Sequence, residues 1–72
     1  NPVANEATLL LPGNRKANLR LYTGAGEMIW ERAHSAGENE VVLVPMNLFK
    51  QGWYLLRIDY DTYSETLKIL KK

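Results

Sequence analysis

Apolar side chains recur at every second position through most of this chain, and turn formers interrupt the pattern at intervals of about eight to twelve residues, as in short antiparallel strands. Six strands are predicted, with room for a seventh. The first, Ala7 to Leu11, closes at Leu11-Pro12-Gly13-Asn14, where Pro12 presets φ and Gly13 suits the positive φ of a type II turn. The second, Ala17 to Tyr22, turns Leu19 and Leu21 inward and Asn18, Arg20 and Tyr22 outward; Thr23-Gly24-Ala25-Gly26 then reverses the chain. Glu27 to Arg32 is the third strand, with Met28 and Trp30 on one face and Ile29 blurring the alternation, and His34 to Asn39 reads as loop. Val41 to Val44 forms a buried strand, with Val41 and Leu43 expected inward, and Pro45 ends it by removing a ladder donor. Met46 to Phe49 suits a short turn of helix or an irregular crossover, with Leu48 reaching the core. Gly52 opens the strongest strand, in which Tyr54, Leu56 and Ile58 face inward and Trp53, Leu55, Arg57 and Asp59 outward. After a turn at Asp59 to Thr62, Tyr63 to Lys71 pairs back with Leu67 and Ile69 inward.

Two facing sheets accommodate these apolar sets, since a single sheet cannot bury both Val41-Leu43 and Tyr54-Leu56-Ile58. The expected fold is an all-β, antiparallel β-sandwich of six to seven strands. Its 72 residues make one domain, 1–72, because a chain of this size buries only roughly 60% of its unfolded surface and has no material for a second core. With no cysteine, packing alone must hold it. Nine Lys and Arg offset eight Asp and Glu, and the interspersed charges argue against a nucleic-acid groove. No apolar run reaches the ~18 residues of a membrane helix. The chain opens at Asn1-Pro2 with neither an initiator methionine nor a charged and apolar leader, and reads as a fragment of a longer protein or a processed product.

Chemistry is sparse. His34 and Ser35 are adjacent, and neighbours on an extended chain point apart, so a solvated loop histidine is the better reading. Gly24-Ala25-Gly26 lacks the third glycine and following helix of a phosphate loop. Asp59 and Asp61 offer calcium two ligands, far below its preferred six to eight oxygens, so no metal or other cofactor is expected. Trp30, Trp53, Tyr22, Tyr60 and Tyr63 suit either sheet packing or a platform for a sugar or base. In the tail, Leu70 lies opposite in pleat to Leu67 and Ile69, which turns an apolar group outward beside Lys68 and Lys71.

In order, Asn1-Pro2, the hairpin residues Leu21, Tyr22 and Gly26, the strand Leu48-x-x-x-Gly52-x-Tyr54-Leu55-Leu56-Arg57-Ile58 and the ending Lys68-Ile69-Leu70-Lys71-Lys72 resemble the C-terminal sorting domain of type IX secretion cargo. The likeness spans essentially the whole chain. Each motif is weak alone, and their order and spacing carry the specificity. Thr23 replaces the usual Asp or Asn, Glu27 the usual basic residue, and Trp53 a smaller one.

The resemblance implies an immunoglobulin-like sandwich without an active site of its own. It would be recognised by the type IX outer-membrane machinery and then typically removed by a surface sortase as the cargo is joined to anionic lipopolysaccharide. Gly26, Gly52, Tyr54, Leu56 and Ile58 would be structural members of the motif, and Lys68, Ile69, Leu70, Lys71 and Lys72 the recognition element. The implied location is the periplasm in transit, then the cell surface or medium. The alternative is a non-catalytic sandwich module of an extracellular enzyme or adhesin that binds carbohydrate or spaces domains. Edge strands in so small a body also leave weak homodimer pairing open.

Overall fold

The computed structural model describes residues 2–3, 5–37 and 40–72. The opening Asn1 and the predicted loop residues Glu38 and Asn39 lie outside them. Among the described residues, seven strands and one 3-10 turn follow in order: β1 (Pro2–Val3), β2 (Ala7–Leu10), β3 (Ala17–Thr23), β4 (Met28–His34), β5 (Val41–Val44), the turn Met46–Leu48, β6 (Gly52–Asp59) and β7 (Ser64–Lys71). They form a five-stranded sheet, ordered β1-β7-β6-β3-β4, and a two-stranded sheet, β2-β5. Every pairing is antiparallel except the short β1–β7 contact, where Pro2 stands opposite Leu70 and Val3 opposite Lys71.

Both sheets feed one core. Leu19, Leu21, Tyr54, Leu56, Ile58 and Ile69 come from the large sheet, and Ala7, Val42 and Val44 from the small one, with Leu11, Ala17 and Met46 completing the cluster. The inward set on β6 is the one its alternation predicts. On β5 the phase is reversed. Val42 and Val44 are buried, whereas Val41 and Leu43 are exposed. Four successive aliphatic residues carry no alternation, so the register with β2, which sets Ala7 opposite Val44, decides the face.

Further differences have local causes. The bulge at the end of β3–β4 sets Leu21 opposite Trp30 and Tyr22 opposite Met28, leaving Ile29 as the extra residue. Met28 and Trp30 therefore lie on opposite faces of the sheet rather than the same one. In the 3-10 turn Met46 is buried and Leu48 is 70% exposed, so the core is reached by the first residue instead of the third. Gly13 does not take a positive φ; the Arg15 N–H donates to the Pro12 carbonyl, so the turn begins at Pro12 and Gly13 needs no left-handed backbone. Leu67 shares the inner face with Leu56 but remains 38% exposed, beside an open hollow between β7 and β2 lined by Glu6 to Leu9.

Candidate functional site

The outer face of the five-stranded sheet, which the small sheet does not cover, collects most of the chemistry. Side chains alternate across the pleat, so the register assigns this face row by row. Near the β3–β4 hairpin, Leu70 stands opposite Trp53, and the next row runs Lys68, Leu55, Tyr22 and Met28. Toward the other end, Thr66, Arg57, Arg20 and Glu31 form one row and Ser64, Asp59, Asn18 and Ala33 another. The face thus divides into an apolar half and a charged half.

The charged half is a network centred on Asp59. Its carboxylate accepts from Arg20 Nη1 at 2.9 Å, from Arg57 Nε at 2.8 Å and from the Ser64 hydroxyl, while Arg20 Nε reaches Glu31 at 3.1 Å. The Ser64 hydroxyl and the Arg57 guanidinium, helped by the charge of Arg20, hold the Asp59 carboxyl below the usual carboxylate range. Asp59 is therefore engaged by its own sheet, and among the described residues no group of three or more His, Asp or Glu is placed to hold a metal ion. In the turn beyond, Tyr60 and Tyr63 stack at 4.7 Å, with Arg15 over the Tyr63 ring.

The five tail residues do not form one surface. Ile69 is buried in the core, Lys68 and Leu70 take the outer face, and Lys71, opposite Gly52, follows the parity of the inner face. Lys72 is exposed beyond the strand. Lys68 Nζ lies 5.2 Å from the Trp53 ring centroid, a cation–π contact that joins the tail to β6. Trp53 itself is 53% exposed. It stands next to Tyr54, whose ring is buried and whose hydroxyl donates to the Lys50 carbonyl at 2.6 Å. Gly52 opens β6 at φ 142°, a value L side chains rarely adopt.

Gly26 takes φ 92° in the hairpin, where its N–H donates to the Thr23 carbonyl and the Thr23 N–H to the Glu27 carbonyl. The Thr23 hydroxyl accepts from the Ala25 and Glu27 N–H groups, each at 3.2 Å, which is the task an Asp or Asn side chain performs in such a turn. Thr23 therefore closes the turn through its own hydroxyl.

His34 departs from its sequence reading. It ends β4 opposite the inward-facing Ala17, is buried, and among the described residues has no hydrogen-bond partner on either ring nitrogen. Two more residues of strand pairing than the pattern suggests carry it out of the loop and under cover. Ser35 follows β4 and is exposed. The sequence signal for burial is the inward phase of β3, in which Ala17 precedes Leu19 and Leu21. No known protein family matches the chain, and neither does any curated protein or solved structure.

Proposed function

We propose that this chain is a C-terminal sorting domain of the type IX kind, an immunoglobulin-like sandwich that addresses an attached cargo to the outer-membrane translocon. The observation that carries this reading is the pairing of its two most specific segments. The Gly52-x-Tyr54-Leu55-Leu56-Arg57-Ile58 strand lies directly beside the Lys68-to-Lys71 strand. That neighbourhood turns Lys68 and Leu70 to the surface over a rigid base, as recognition of a folded domain requires. Surface removal by a sortase and anchoring of the cargo to anionic lipopolysaccharide belong to the same reading.

The test fuses residues 1–72 to the C-terminus of a periplasm-directed fluorescent reporter in a host with the type IX pathway. The reporter is expected at the cell surface or in the medium, and removal of Leu70 to Lys72 is expected to return it to the periplasm. A folded fusion that stays periplasmic overturns the reading. The half-exposed Trp53 favours, as a second reading, a module that stacks a sugar ring; binding of an oligosaccharide lost on Trp53→Ala would support it.

A further inference from the structure

Among the described residues, the hairpin end of the outer sheet face carries an apolar surface that no other element covers. Trp53, Leu55 and Met28 are 53%, 40% and 47% exposed, and Leu70 and Tyr22 are half-buried beside them. Large apolar groups rarely gather on an uncovered sheet face unless something covers it. The two rows that build it contain one charge, Lys68, and no acid; Glu27 lies in the adjoining turn, while Lys50 and Lys72 flank the same end of β6 and β7. By contrast, the arginines farther along the face are already answered by Asp59 and Glu31.

We propose that this surface docks an apolar segment of a partner protein that carries a carboxylate. Trp53 is the anchor, Leu55, Met28 and Leu70 receive the partner's apolar side chains, and Lys68, held over the Trp53 ring, pairs with the carboxylate. A second copy of this chain fits poorly, because face-to-face pairing brings together two ends that each carry more lysine than acid. A glycan needs several convergent polar groups around its stacking ring, and these rows supply aliphatic side chains instead. This surface includes residues outside the tail, so the proposal stands without the sorting reading.

The test titrates the isotopically labelled chain with a short synthetic peptide alternating Leu or Phe with Asp, and with its counterpart carrying Lys for Asp. The acidic peptide is expected to shift the Trp53 indole N–H together with Leu55 and Met28. Trp53→Ser and Lys68→Glu should each weaken binding at least roughly tenfold, as loss of an anchor or of a charge pair does. Lys68→Glu should also transfer preference to the basic peptide. Leu10→Ser, at an exposed position on the small sheet, should change nothing. The variants' own spectra report whether the fold is kept. Absence of localised shifts at millimolar peptide overturns the proposal. So does response of the same residues to anionic phospholipid vesicles, to an oligosaccharide or to chain concentration in place of the peptide.

Discussion

Asp59 ties three strands together from one carboxylate, through Arg20 on β3, Arg57 beside it on β6 and Ser64 on β7. Exposed ion pairs contribute little singly, but a shared acceptor makes this one a network. Its carboxyl is held below the usual range, so the folded state binds its proton later than the unfolded state as pH falls. The stabilisation is therefore fully present above the ordinary carboxylate pKa of about 4 and is lost as pH falls through the lower folded value. Urea midpoints measured against pH should show the native chain exceeding Asp59→Asn by a constant margin near neutrality, with the margin vanishing in acid. A margin that persists unchanged to the acid limit would show that Asp59 acts by shape rather than charge.

The 3-10 turn between β5 and β6 makes a sharper contrast, because two apolar residues two positions apart have opposite fates. Met46 is fully buried and Leu48 stands out in solvent. Met46→Ala should cost about 2–5 kcal/mol through lost transfer energy and a residual cavity, whereas Leu48→Ala should stay within about 0.5 kcal/mol. Equal losses in chemical denaturation would mean that Leu48 is covered in solution. Legibility follows the same logic. Alternation on β6 and β3 identified Tyr54, Leu56, Ile58, Leu19 and Leu21 as inward, because apolar and polar residues there take turns. It could not phase the unbroken Val41 to Val44, nor choose between Met46 and Leu48, since those positions differ in geometry and not in polarity. The bulge at Ile29 depends on the hairpin's pairing, and the burial of His34 on strand pairing that continues past Arg32; neither is a property of a local window. Of the tail, the outward turn of Leu70 was legible from pleat parity, but its meeting with Trp53 required the β6–β7 register.

At the scale of the whole molecule, the tail contributes to packing, and the recognition role proposed for its end is separable from that contribution by truncation. Ile69 belongs to the core that both sheets share, while Leu70 and Lys71 lie past it, opposite Trp53 and Gly52 and beside β1. Deleting Leu70 to Lys72 removes the last cross-strand pairs of β7 and the β1 contact, yet leaves Ile69 against Tyr54. Cross-strand pairs contribute roughly 0.2–1 kcal/mol each, so the truncated domain should be weakened by on the order of 1 kcal/mol and should still unfold in one cooperative step. Deleting one residue more, Ile69 included, opens the shared core and should cost several times as much, since burying a side chain of that size contributes about 1.5–3 kcal/mol before any cavity is counted. Thermal unfolding of the two truncations, read beside export of the same two fusions, then distinguishes the roles. Loss of export at the first deletion, with cooperative unfolding intact, assigns the end of β7 to recognition. Loss of cooperativity at that deletion assigns it to the fold, because a chain of 72 residues has little stability to lose before its two sheets part.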